Sequence, residues 1–248
     1  MNKIKVGFFS LSRRAADGDD RGYLEWHQLD HMPEQYQLPG LLLGQRWAST
    51  PACEKARAAS VDEWAETAHV VCYLMGNPVE ETLEEFYTLG RLLAEKGRMA
   101  RSLPSQYLAG LRLLEAQASP RTLVSNDVVP YRPHRGIYLI VEEPTGEATQ
   151  DDYLQHLHTD VLPTLVSVDG VAGALTFGTT PAIARPTFSP GRYRITTCYL
   201  DDDPATVGQR LEPVLAGIWE KSPVRPLLAA PFESMMHWDW DRFGPALP

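Results

Sequence analysis

Tyr23, His27, Asp30, His31 and Glu34 recur at the three- and four-residue steps of a helix, so they share one face. Two imidazoles and two carboxylates on one stripe are equipment for proton transfer. A histidine near its ordinary pKa can take up or release a proton at neutral pH. On this reading His27 or His31 is a general base steadied by Asp30, with Tyr23 beside it. The competing reading is structural: His31 bonds to nearby backbone and His27 faces water. Clustering favours chemistry, because such groups gather at sites. His27 and His31 also have the spacing of a zinc-binding helix. Gln28 stands where a metalloprotease glutamate would be, and no third ligand is evident, so no metal is expected.

Arginines supply the second half of the argument. A guanidinium fork matches a carboxylate in two hydrogen bonds. Arg13, Arg14 and Arg46 flank the histidine stripe in sequence and read as a clamp for an anionic small molecule, with Trp47 as a flat wall. For any single arginine, a salt bridge to one of the 32 acidic residues competes with this reading. Arg192 and Arg194 share one face of a later strand. Further along, His156 and Asp160 lie four apart on one face of a second helix and are candidate substrate-binding residues, while His158 points elsewhere. His237-Trp238 could close a pocket over a conjugated ligand. There is no glycine-rich phosphate loop, no Gly-x-Ser-x-Gly elbow and no dinucleotide fingerprint. A serine nucleophile and a nicotinamide cofactor are disfavoured, and no cofactor is expected.

These residues are positioned by a chain written twice. Tyr23-Leu24, Asp30, Pro33 and Gly40 return as Tyr153-Leu154, Asp160, Pro163 and Gly170, at an offset of about 130 positions. Cys72-Tyr73-Leu74 returns as Cys198-Tyr199-Leu200, at a slightly shorter offset. Two domains follow, 1–118 and 134–248, joined by a proline-containing linker over 119–133. In the first, strands are expected over 4–11, 41–49, 69–75 and 106–114, and helices over 22–35 and 78–95. A loop with a short helix near 61–66 fills the remainder. In the second, strands are expected over 135–142, 171–177, 192–200 and 226–237, and helices over 150–166 and 204–221. Each copy is β-α-β-β-α-β, the ferredoxin-like pattern of an antiparallel sheet with two helices on one face. The bare face of each sheet needs a cover. A second copy supplies it, closing the pair into a barrel of class α+β.

Trp26-His27, Asp30-His31-Met32-Pro33 and Leu38-Pro39-Gly40-Leu41 resemble the dimeric α+β barrel superfamily, most of all its EthD-like branch. The tandem arrangement and the opening of the chain are similar to the methylesterase/cis–trans isomerase enzymes of syringate catabolism. The second copy departs from the pattern, with Val161 where the first has His31. This resemblance implies an enzyme of lignin-derived aromatic breakdown. It would hydrolyse the methyl ester of an anionic ring-cleavage product, or isomerise or tautomerise that product. The same fold also implies a haem alternative of chlorite-dismutase type, with a histidine ligand from the second half, such as His156 or His158.

Composition bounds the remaining choices. The chain has 248 residues, 44% of them hydrophobic, and a formal net charge of -9. That charge argues against nucleic acid and anionic membrane as partners. No apolar run is long enough for a transmembrane helix, and residues 1–9 read as a strand rather than a signal peptide. Three cysteines without a paired motif point to buried thiols in a reducing compartment. Either a monomer or a homodimer fits, because duplication already supplies the partner sheet.

Overall fold

The computed structural model describes residues 3–16, 18–99, 103–145, 150–179, 193–235 and 238, the side chains of 150–152 excepted. The first repeat runs β1 (Val6–Ser12), α1 (Arg21–Trp26), α2 (Met32–Gln35), β2 (Leu41–Ala48), α3 (Pro51–Lys55), β3 (Ala59–Ser60), β4 (His69–Met75), α4 (Val79–Glu95) and β5 (Ser105–Ala118). The second runs β6 (Gly136–Pro144), α5 (Gln150–His156), α6 (Leu162–Ser167), β7 (Val171–Gly178), β8 (Arg194–Leu200), α7 (Pro204–Trp219) and β9 (Val224–Ser234).

The strands pair antiparallel in the order β2-β4-β1-β5-β7-β8-β6-β9, and β9 returns to β2 at Trp47↔Ser234 and Ala48↔Glu233. The sheet is therefore a closed barrel, built half from each repeat, with β3 appended to β9. Strand alternation explains the layering. Phe9 and Leu11 of β1 point inward to meet Phe177, Tyr199 and Phe232 in the barrel interior. Val6 and Phe8 point outward, beneath the α1–α2 and α4 layer. Strands β4 and β7 are buried along their whole length because both of their faces are covered.

The helix of each repeat is not uniform. A π-helical turn, His27–His31, joins α1 to α2, and its counterpart Leu157–Val161 joins α5 to α6. In each, the backbone N–H after the turn reaches back five residues: Met32 to His27, and Leu162 to Leu157. Proline accounts for both. Pro33 and Pro163 have no N–H to donate, and their rings crowd the carbonyl four residues earlier, so the helix widens there.

The register corrects the second sequence echo. Phe8 faces Tyr73 across β1 and β4, while Tyr138, the counterpart of Phe8, faces Cys198. Tyr73 is thus equivalent to Cys198, one residue away from the match of identical letters. Cys72 points into the barrel and Cys198 out toward the helices. A one-residue slip in a strand exchanges the two faces.

Elsewhere the departures are local. Strand β5 extends well beyond 106–114, because its far half pairs with β7 of the other repeat. Elements α3 and β3 fall in a stretch expected to be loop, and the linker folds as a 3₁₀ helix, Asn126–Tyr131. Arg192 and His237, expected at strand ends, lie outside the described residues. No helix among the described residues is long and apolar enough to cross a membrane.

The turn glycines of the two repeats are required for different reasons. A Cβ on Gly40 would sit 2.8 Å from the carbonyl oxygen of Gly76. Gly170 holds φ at 91°, where L side chains are strained. Gly40→Ala and Gly170→Ala should each lower unfolding free energy by about 1–3 kcal/mol. Urea midpoints read this directly, and an unchanged midpoint for either variant contradicts the assignment of that glycine.

Candidate active site

A cavity of about 330 Å³ opens between the outer face of the first repeat's sheet and its helices. Phe8, Trp26, Val71, Phe86 and Tyr87 make most of its wall apolar and aromatic, and Tyr23, His27, His31, Gln35 and Tyr73 bring polar atoms to it. The π turn sets the helical half. Its wider pitch aligns residues four apart, so His27 and His31 lie together with ring centroids 5.2 Å apart. His31 stacks on Trp26 at 5.0 Å. Gln35 lies 3.4 Å from His31 Nε2, and the Tyr73 hydroxyl lies 3.5 Å from His27 Nε2.

The sheet supplies the other half. Arg46 and Val71 are direct cross-strand partners, so they share the cavity side of the sheet. Arg46 is 4% exposed, its guanidinium carbon lies 4.9 Å above the Tyr23 ring, and none of its three nitrogens is hydrogen bonded. His69 lies on the same side, opposite Ser12, which lines the cavity. Its Nε2 is 2.6 Å from Oδ2 of Asp20, a fully buried carboxylate. Asp20 precedes α1, where an aspartate ordinarily caps the helix. Here its side chain makes no cap. It accepts instead from His69, from the Ala15 N–H at 2.6 Å and from Arg14 at 3.4 Å.

Electrostatics follow from burial. Desolvation pushes the His27 pKa well below the ordinary histidine value, and the charge of Arg46 and the neighbours His31 and His69 push it the same way. His31 is lowered by burial and by Arg46, against a raising pull from Glu34. His69 is lowered by burial even though its bond to Asp20 opposes the shift. All three are neutral at neutral pH. Burial also keeps the Tyr73 hydroxyl protonated. Among the described residues, seven of the ten buried side-chain atoms that lack a hydrogen-bond partner belong to His27, His31, Gln35, Arg46 and His69. Folded proteins rarely leave such groups bare; here His27, His31 and Gln35 line the cavity, and Arg46 and His69 lie against the ring of Tyr23, which also lines it.

Several residues expected at the site lie elsewhere. Asp30 is exposed and bonds to neither histidine, because the widened turn carries the residue three along out to solvent. Arg13 pairs with Glu66 over a separate surface cleft. Arg14 holds Asp20 and the Ser49 carbonyl, so it supports the site without clamping a ligand. Trp47 faces the barrel interior and donates to His134. Trp238 is 74% exposed. His156 does lie 3.2 Å from Asp160, but on the second repeat, where its other nitrogen meets Ser222. His69, Asp20 and Tyr73 went unread in the sequence as site residues.

The second repeat holds the same place in closed form. Ile140, Glu142, Tyr153, Val161, Leu165 and Thr196 occupy the positions of Ser10, Ser12, Tyr23, His31, Gln35 and Val71, yet they enclose only about 10 Å³. Leu157 replaces His27, and Thr176 replaces Arg46. Arg194, in the place of His69, lies on the Tyr153 ring, and Glu142 accepts from Trp219. Among the described residues this closed cavity has no room for a haem, and His156 and His158 are paired with Asp160 and Glu115 near the surface. Among the described residues no metal-binding group of three His, Cys, Asp or Glu forms.

No family model and no curated protein matches the chain. Solved structures do match along almost the whole length. An anthrone oxidase-like protein aligns at 13% identity and a TM-score of 0.54, over 95% of this chain and 92% of that one. A chlorite dismutase from Candidatus Nitrospira defluvii, solved with imidazole, aligns at 9% and 0.53, over 96% and 94%. A candidate monooxygenase from Fusobacterium nucleatum aligns at 10% and 0.50, over 95% and 94%. The fold is the ferredoxin-like α+β barrel, with both halves on one chain. At these identities the likeness concerns fold alone.

Buried neutral histidines link stability to pH. Below an unfolded-state value of about 6.5 the unfolded chain binds protons that folded His27 and His69 refuse, so stability falls as pH drops through that value. Asp20, lowered by its partners, adds a further loss only at more acidic pH. Each such histidine contributes up to about 1.4 kcal/mol per pH unit. His27→Leu should therefore narrow the difference in urea stability between about pH 7.5 and about pH 5.5. An unaltered difference would mean that His27 takes up protons equally in the folded and unfolded chain.

Proposed function

We propose that the first repeat is a cofactor-independent acid–base enzyme that hydrolyses the methyl ester of an anionic, conjugated product of aromatic ring cleavage. The observation that carries this reading is the buried guanidinium of Arg46, without a hydrogen bond, lying over the Tyr23 ring on the cavity side of the sheet, where its charge acts on the neutral His27 and His31. Asp20 already answers Arg14 and His69. One positive charge is left without a partner, and a carboxylate or enolate of the substrate supplies it. The flat rings around the cavity suit a conjugated chain or ring.

In this mechanism Arg46 binds the anion and fixes orientation. A neutral histidine takes a proton from water as the water oxygen bonds to the ester carbon, and the carbonyl electrons move onto oxygen. The Tyr73 hydroxyl, kept protonated by burial, donates to that oxyanion. Collapse breaks the bond to the methoxy oxygen, which recovers the proton and leaves as methanol. A second reading, cis–trans isomerisation of the same product through a protonated enol, is favoured by the apolar wall, which offers few places for water. A cytoplasmic location accords with three free, buried cysteines.

Proton NMR of the purified protein with such a methyl ester separates these readings. Methanol formation is the expected result. Shifted vinyl signals with the methoxy group retained would make the protein an isomerase, and an unchanged spectrum would remove both. Arg46→Met should raise KM about ten- to a hundredfold, the worth of a charge-assisted bond. His27→Ala should lower kcat/KM by about a hundredfold or more. Near-normal kinetics in both variants would sink the assignment.

A further inference from the structure

One histidine of the three differs from the others in where a proton could rest. A protonated His27 would stand beside Arg46 and His31 with no carboxylate in contact. A protonated His31 would feel Glu34, but that carboxylate is paired with Arg98. His69 alone is bonded to a buried carboxylate. Its Nε2–H donates to Asp20, so in the neutral ring Nδ1 is bare, and that nitrogen is buried without a partner. Arg14 and the Ala15 N–H fix the far side of Asp20. The ring sits on the cavity side of β4, opposite Ser12 and two residues before Val71, both of which line the cavity. The groups facing it are Asp20, Arg14, Arg46, Tyr23 and His27. In the closed repeat Arg194 takes the place of His69 and lies on the Tyr153 ring.

We propose that His69 is the proton acceptor of this site and that Asp20 is its positioning residue, holding the tautomer that leaves Nδ1 free. The proposal rests on the acid–base reading above. The water proton passes to Nδ1 as the oxygen bonds to carbon. The imidazolium is shared with Asp20 until the proton returns to the departing methoxide. His27 and His31 then orient the substrate and donate or accept hydrogen bonds without storing charge.

The test is the pH profile of kcat/KM for wild type, Asp20→Asn, His69→Gln and His27→Gln, with far-UV circular dichroism confirming the fold. The acid limb reports the base of the free enzyme. Asp20→Asn removes the carboxylate, so the limb should move to lower pH and the plateau should fall about a hundredfold. His69→Gln keeps a donor toward Asp20 but loses the base, so kcat should fall at least as far while KM stays within about twofold. His27→Gln should leave the limb where it is. A limb that moves in His27→Gln, or a limb and plateau unmoved in Asp20→Asn, overturns the proposal. Should Asp20→Asn not fold, His69→Gln and nitrogen-15 NMR decide. In labelled wild-type protein, the resonances that vanish in His69→Gln should show Nε2 protonated and Nδ1 bare. The opposite tautomer overturns the proposal whatever the substrate, whereas the expected tautomer without ester turnover would fault the hydrolase reading instead.

Discussion

Each repeat makes a sheet with two apolar faces but only enough helix to cover one, and the architecture answers that shortage. The inner faces cover each other, and the β5–β7 and β9–β2 pairings close the barrel and join the edges of the two repeats. Phe9, Phe177 and Phe232 then fill a common interior to which both repeats contribute. With the interior fully packed, any ligand cavity has to lie outside the barrel, between sheet and helices. That is where the open site and its closed counterpart are found.

Within the open site the deciding quantity is charge balance. Arg46 is buried among aromatic rings, and its burial is tolerable only with an anion nearby. Asp20 is the nearest candidate, but its oxygens are taken by His69, Ala15 and Arg14. Burial, aided by this cation, keeps His27 and His31 neutral, which makes them useful as hydrogen-bonding groups and poor as proton stores. The closed repeat satisfies its polar groups internally, through Arg194 over Tyr153, Trp219 to Glu142 and Thr176 to Thr196, and it keeps no room for a ligand.

Much of the fold was legible because strand alternation, the Pro–Gly turn and the long repeat all repeat a physical rule twice. The stretch holding α3 and β3 was not, since an alanine-rich polar segment has no period and β3 exists only through its pairing with β9. The helical half of the site, Tyr23, His27 and His31, could be read from spacing. Its sheet half could not. Whether Arg46 or Trp47 faces the cavity depends on the register of β2 against β4, and a single strand does not reveal that. Asp20 looked like one charge in a polar loop, and Asp30 looked like the partner of the histidines because an ordinary α-helical pitch was assumed. Pro33 broke that assumption and turned Asp30 toward water.

The offset between Cys72 and Cys198 has a practical side. Superposing the halves on their most similar letters inverts β8 relative to β4 and assigns interior residues to the ligand side. Aligned instead by hydrogen-bond register, the halves exchange the polar groups of the open site: Leu157, Val161, Thr176, Arg194 and Cys198 stand for His27, His31, Arg46, His69 and Tyr73, and Ile140, Glu142 and Leu165 for Ser10, Ser12 and Gln35. That set, together with the removal of Trp219 from Glu142, outlines how a one-site scaffold could be rebuilt with two. It also separates the copy that keeps a cavity from the one that has filled it.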